Sequence, residues 1–290
     1  MAVINKLSIN QFRNLENQYI EPSKNINLFI AGNAQGKTNL IEAIYYLGHN
    51  RSFKTKTIAE VVHYNFNDFQ INAKVDNHRV KLEKSRKKNT ISIDQQRIKN
   101  TSQLTQLLPI QIITPDKGFI VNGTPKNKRS YLDWGVFHVE LKFLEVFKSY
   151  NKTLKNINVL LLNNKVSELD FWFLELSKTA KEINKNRIQY IDQLKKTADS
   201  KDLKQLLVLF DSIDSFDYQF YSGWPKEVDA LDEQSIYRYL SKNTQSLLKK
   251  NYLNYGPHKA SLNFSLNNKN ECFLSRGEQK TLSIIFWLTQ

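Results

Sequence analysis

The segment Ala31-Gly32-Asn33-Ala34-Gln35-Gly36-Lys37-Thr38 constrains this chain more than any other. The apolar run Asn27-Leu28-Phe29-Ile30 precedes it and predicts a buried strand. A helical pattern follows, with apolar positions at Leu40, Ile41, Ile44, Tyr45 and Leu47, and Gly48 is placed as its C′ stop. A strand, a glycine-bearing turn and a helix opening on Gly36-Lys37-Thr38 is the context in which backbone amides converge on phosphate. Lys37 is placed to neutralise terminal phosphates, and Thr38 to offer its hydroxyl to Mg²⁺. A chance Gly-Lys-Thr at such a junction is the bland alternative. The usual first glycine is replaced by Ala31, Gly32 sits one place late, and Ala34 fills a further glycine position. Ala31 is therefore expected to avoid positive φ, or to carry about 1–2 kcal/mol of strain.

Before about residue 133 the chain reads as short strands. Val3, Leu7, Ile9 and Phe12 suggest an opening strand, and Phe69 to Val75 and Val80 to Glu83 alternate with a period of two. Ser85 to Asn89 makes a hairpin tip before Thr90 to Ile93, and Pro109 to Pro115 reads as another buried strand. A helical hairpin follows. Phe143, Phe147, Tyr150, Leu154, Ile157 and Leu161 form one stripe. Leu169, Phe173, Leu176, Ala180, Ile183, Tyr190 and Leu194 form a second, which Arg187 interrupts. Asn163 to Lys165 is the loop, Ser167 and Asp170 make a capping-box pattern, and the two helices are expected to pack antiparallel. Later come a strand at Phe216 to Tyr221, a helix around Gln234 to Lys249, a Gly256-Pro257 turn and a strand at Leu262 to Leu266. The expected division is 1–133, a helical lobe over 134–210, and a return to the first lobe over 211–290.

Over 290 residues, 40% hydrophobic content is ample for a core, and a net charge of +14 favours a polyanionic partner over a merely solvated surface. One cysteine, Cys272, excludes an internal disulfide, and five scattered histidines show no metal-ligand spacing. Polar residues break the N-terminus too early for a signal segment, and no apolar run is long enough to span a bilayer. A cytoplasmic location is the expectation.

Leu274-Ser275-Arg276-Gly277-Glu278-Gln279-Lys280, ahead of an apolar helix, resembles the ABC signature motif. A serine hydroxyl, a glycine amide and a helix N-terminus make a second anion site there. Four blocks, in order, resemble the RecF family. They are Gln11-Phe12-Arg13-Asn14-Leu15 with the loop, its helix and Arg51-Ser52-Phe53-Lys54; Ile113-Thr114-Pro115-Asp116 with Asn122 to Trp134; Gly256-Pro257-His258-Lys259-Ala260; and the signature segment. The resemblance implies an α/β fold: an ABC-type P-loop ATPase head, with mixed sheets around the P-loop helix and an inserted α-helical lobe. It also implies ATP and Mg²⁺ as cofactors and an ATP-dependent homodimer. Nucleotide would be held by Arg13, Ala31, Gly32, Asn33, Ala34, Gln35, Gly36, Lys37 and Thr38 of one copy and by Ser275 and Gly277 of the other. Gln111 is a candidate Q-loop residue. The partners implied are double-stranded and gapped DNA, with RecO- and RecR-type proteins and recombinase loading.

Basic clusters at turns supply phosphate contacts that carry no base readout: Arg51, Lys54 and Lys56; Lys84, Arg86, Lys87 and Lys88; Lys126, Lys128 and Arg129. Ser261 departs from a position that is often acidic in the family. No apolar strand ending in paired acids follows the signature segment before Gln290. The expectation drawn from that is weak ATP binding and poor or no hydrolysis. A non-hydrolysing DNA or protein scaffold is the alternative. An SMC-like ATPase fused to a nuclease is a third reading, but the acidic metal-binding domain it needs is not seen.

Overall fold

Alternation builds the first sheet. In Ile4–Phe12 (β1), Leu7 and Ile9 are buried between Lys6, Ser8 and Asn10, so one face is apolar and the other polar. The same pattern runs through Asp68–Val75 (β3) and His78–Ser85 (β4). With Leu15–Ile20 (β2), Asn89–Ile93 (β5) and Gln96–Arg97 (β6) they form an antiparallel sheet of order β2-β1-β3-β4-β5-β6. Helix Lys37–His49 (α1) covers the apolar face with Ala43, Tyr46 and Leu47, and Thr101–Leu107 (α2) adds Leu104. Phe12, Tyr46 and Phe69 meet edge to face at 5.0–5.9 Å between centroids.

This computed structural model describes residues 2–114, 119–198, 200 and 215–290. They fall into two compact units, Met1–Ile112 and Ile113–Gln290. The second is built on three helices, Pro125–Val139 (α3), Phe143–Leu162 (α4) and Leu169–Ala198 (α5). Thr124 caps α3 by accepting from Asn127 N–H, and Pro125 sits in its first turn, where no amide is needed. Strands Phe216–Tyr221 (β7), Ser261–Leu266 (β8) and Lys269–Asn270 (β9) pair antiparallel in chain order. Helices Glu233–Lys242 (α6), Thr244–Lys250 (α7) and Arg276–Leu288 (α8) complete the unit. Tyr131, Ile157, Leu176, Phe264 and Phe286 share one core, so the segment from Phe216 onward packs with the helical hairpin. The boundary placed near residue 210 lies outside the described residues, as do Pro115 and Asp116. Among the described residues no helix is long and apolar enough to cross a membrane.

The structure departs from the pattern at several points. Asn27–Ile30 forms no strand. Leu28 and Ile30 are about four-fifths exposed, because a strand needs a ladder and no described strand runs beside this one. Residues 109–114 are likewise irregular. Gly48 lies inside α1 rather than after it: a Cβ there would come within 2.9 Å of Leu108 O, so close packing demands the glycine, and Asn50 ends the helix at φ 52°. Ser167 does not cap α5. It lies in a 3₁₀ turn, Val166–Glu168, and Asp170 instead accepts from Tyr237. The helix expected around Gln234 to Lys249 is broken at Asn243 into α6 and α7. Arg187 does not break the hairpin seam. It is buried, with its guanidinium paired to both oxygens of Asp133 and donating to Pro257 O.

Candidate functional site

The loop before α1 is shaped for an anion. Gly36 caps the helix at φ 89°, and a Cβ there would sit 3.0 Å from Asn14 Oδ1 and Leu15 Cδ2, so no other residue fits without displacement. Helix α1 has no side-chain N-cap and no acidic residue in its first turn. The amides of that turn therefore meet no side-chain acceptor among the described residues, and the positive end of the helix dipole lies behind them. Lys37 Nζ is held across the loop by Ala31 O and Gly32 O, both at 2.6 Å. Thr38 and Asn33 are exposed beside it. Gln35 folds back so that its Oε1 accepts from Gly32 N–H at 3.0 Å. A concavity of about 300 Å³ opens here, lined by Leu15, Gln18, Ala31, Gln35, Gly36 and Lys37 among others. The strain expected of Ala31 falls elsewhere: Ala31 has ordinary φ, while Ala34 takes the left-handed conformation at φ 61°.

Behind the loop lies a network the sequence pattern does not reveal. Glu42 of α1 is fully buried. Arg13, itself at φ 54°, grips both of its oxygens at 2.6 and 2.7 Å and donates a third bond to Glu60 O. Ser52 donates to Glu42, and Lys54 Nζ lies 3.5 Å from it. Lys54 also donates to Asn39, Asn39 to Asn14, and Asn14 to Ala34 O. Arg13, placed among the nucleotide-holding residues by resemblance, is thus committed to Glu42, and its reach to the loop runs through this chain of bonds. One signal is present in the sequence: Glu42 lies one turn before the apolar Tyr45 and Tyr46. Gln111 is half-buried in the irregular stretch that ends the first unit.

The signature segment, in the second unit, forms a capped and exposed helix start. Ser275 Oγ accepts from Glu278 N–H, and Glu278 Oε2 accepts from Ser275 N–H at 2.6 Å, a complete capping box. The bond from Ser275 holds the exposed Glu278 carboxyl below its ordinary pKa. Gly277 is exposed, and a Cβ there would meet only Ser275 Oγ at 3.9 Å. No described residue of the unit requires glycine at this position. Leu274 is buried and anchors the turn.

The basic residues divide. Arg86, Lys87 and Lys88 stand exposed on the β4–β5 hairpin tip, with Lys88 also reaching Glu83; Lys56 and Lys126 are exposed too. Lys84 is half-buried beside Asn50 and over the Tyr46 ring, and burial lowers its ammonium pKa. Lys54 belongs to the Glu42 network. Arg129 is half-buried and donates to Ala260 O. Lys128, expected at the surface, is instead buried in an ion pair with buried Glu271 and has no surface for a phosphate. Among the described residues no three His, Cys, Asp or Glu side chains gather to hold a metal.

The mixed α/β architecture, the lysine-bearing loop and the capped Ser-Gly helix start define the class of ABC-type P-loop ATPase heads. The chain belongs to the RecF branch of the RecF/RecN/SMC N terminal domain family, whose model matches residues 3–289. It is 33% identical over 296 residues to the DNA replication and repair protein RecF of Pseudoalteromonas translucida (strain TAC 125), and 34% identical over 294 residues to that of Histophilus somni (strain 2336). Each match takes in 99% of this chain and 79% of the relative. A solved structure of the recombination mediator protein RecF with ATP, from the RecFOR pathway, shares the fold at a TM-score of 0.81 with 24% identity, covering 99% of this chain and 80% of that one.

Proposed function

We propose that this chain is an ATP-dependent DNA-binding protein of replication and recombinational repair, in which nucleotide joins two copies. The observation that carries the reading is the pair of outward-facing helix starts. One, at Gly36-Lys37-Thr38, presents free amides and an ammonium. The other, at Ser275-Arg276-Gly277, keeps a glycine that its own unit does not need. Amides at a helix start bind phosphate oxygens, and a bare glycine lets a ligand approach the backbone closely. The triphosphate would lie between Lys37 of one copy and Ser275 and Gly277 of its twin, in a two-fold symmetric pair. Thr38, exposed in the first turn, would give its hydroxyl to Mg²⁺, which supplies charge neutralisation at the phosphates. Arg13 acts as a positioning residue through Glu42 and Asn39. The family relationship supports duplex and gapped DNA as the nucleic acid and RecO- and RecR-type proteins as partners. The exposed lysines and arginines at 86–88, 56 and 126 would supply sequence-independent phosphate contacts.

Analytical ultracentrifugation with a slowly hydrolysed ATP analogue tests this. Wild type should pair only with nucleotide. Lys37→Ala should lose both binding and pairing. Gly277→Arg should bind nucleotide but stay single. A mixture of the two variants rebuilds one complete composite site and should recover partial pairing. Pairing that ignores nucleotide, or that survives Lys37→Ala unchanged, would sink the reading.

A further inference from the structure

The turn that leads into the signature segment holds an aromatic ring out in water. Glu271–Phe273 is a 3₁₀ turn. Phe273, at its end, is 79% exposed, more than any other phenylalanine among the described residues. A loose loop would let such a ring fold back onto apolar surface, but this turn is fixed on every side. Asn270 caps it by accepting from Cys272 N–H at 3.2 Å, and Leu274 N–H donates to Glu271 O at 3.3 Å. The Glu271 carboxylate, itself buried, pairs with Lys128 and accepts from Asn122 N–H at 2.7 Å. Leu274 is buried too, and its carbonyl accepts from Gln279 Nε2 at 2.8 Å.

The buried pair accounts for the rigidity. Taking two charges out of water costs about as much as their attraction returns, so such a pair contributes little net stability. What it fixes is position, by joining the first turns of α3 to the turn before α8. A ring held out by fixed backbone loses little conformational freedom when a partner covers it. Phe273 also lies two residues before Ser275, so its Cα is within about 7 Å of the serine's. A protein surface that meets the Ser275 hydroxyl and the Gly277 amide therefore meets this ring as well.

We propose that Phe273 is the apolar anchor of the nucleotide-joined pair, seated beside the nucleotide loop of the second copy. The proposal rests on the composite-site reading above and adds a contact that no phosphate supplies. The loop offers a receptor of matching chemistry, because its concavity is lined by Leu15, Ile20 and Leu40 as well as Lys37. Polar and apolar groups thus stand side by side on both surfaces: Lys37 with Leu15 and Leu40 on one, Ser275 with Phe273 on the other. Two-fold symmetry makes each copy give one ring and receive one. Each copy also carries a net charge of +14, so two copies repel, and an apolar contact is indifferent to that repulsion. Aromatic side chains enclosed within an interface carry a large share of its affinity.

Sedimentation of the whole chain with the slowly hydrolysed ATP analogue tests it. Phe273→Ala should weaken nucleotide-driven pairing about ten-fold or more. Phe273→Leu, still apolar, should keep most of it. Neither variant should lower the melting temperature, because the ring is exposed in the single chain, and neither should alter nucleotide affinity measured at protein concentrations too low for pairing. Benzoylphenylalanine in place of Phe273 should crosslink, when the analogue is present, to the Leu15–Ile20 strand or to Leu40 of the second copy, giving a product of doubled mass. Cys272, the one cysteine of the chain and exposed, reports on the same surface. The analogue should slow its alkylation by a maleimide in wild type but not in Lys37→Ala. Full pairing by Phe273→Ala, unslowed alkylation in paired wild type, or crosslinks confined to other surfaces would each overturn the proposal while leaving the composite site standing. Wild type that never pairs would remove the composite site and this contact together.

Discussion

At the scale of single residues, the loop's chemistry and its backbone make different demands. Ala34 holds φ 61°, where an L side chain is strained by about 1–2 kcal/mol. Replacing it with glycine removes that strain but frees the unfolded chain, which costs about 0.4–1 kcal/mol. Strain is the larger effect, so Ala34→Gly should raise stability by about 0.5–1 kcal/mol, read as a higher denaturant midpoint at unchanged slope. A lower midpoint would place the strain elsewhere. Glu42 and Lys128 show what a linear pattern conceals. Both are charged and sit in motif-rich segments, yet both are buried because a partner comes from a distant part of the chain: Arg13 lies 29 residues from Glu42, and Glu271 lies 143 residues from Lys128. Charge predicts exposure only when no such partner folds back.

At the scale of elements, the 3₁₀ turn Pro257–Lys259 is tied to α4 by one histidine. Tyr150 meets His258 Nδ1 at 2.6 Å, and His258 Nε2 meets Leu253 O at 3.0 Å. Because the carbonyl can only accept, neutral His258 carries its proton on Nε2 and accepts a hydrogen bond from the tyrosine hydroxyl at Nδ1. Burial is the main reason its pKa falls to about 4, and Lys259, Arg129 and Arg187 add to it. A folded pKa below the unfolded value of about 6.5 means that protonation favours unfolding. The stabilisation is therefore whole above about pH 6.5 and lost as pH falls toward 4, amounting to at most about 3 kcal/mol. Thermal melts of the whole chain should show a decline across that window which His258→Gln flattens. The same decline in the variant would assign it to other groups. The period-two strands of the first sheet and the α4–α5 hairpin were legible, because alternation and stripe spacing are local properties. The run Asn27–Ile30 was not, since a strand exists only with a neighbour, and Gly48 was misplaced because its crowding comes from Leu108 and Ile110.

At the scale of the whole molecule, a net charge of +14 gives a long-range pull on any polyanion, and only the exposed fraction of the basic residues converts that pull into contacts. The hairpin tip is the clearest case. Arg86→Ala, Lys87→Ala and Lys88→Ala together should reduce the salt slope of duplex binding by about 2.7, three released counterion contacts. An unaltered slope would remove the tip from the interface. Which motifs form helix starts could be read from the chain, but which cations face outward depended on the packing of each unit. The bare apolar run at Ile26, Leu28 and Ile30 has a spectroscopic consequence. Greasy side chains left in water capture dyes that brighten on apolar surface. The folded chain should therefore light up anilinonaphthalene sulfonate without any denaturant, and Leu28→Ser with Ile30→Ser should dim it.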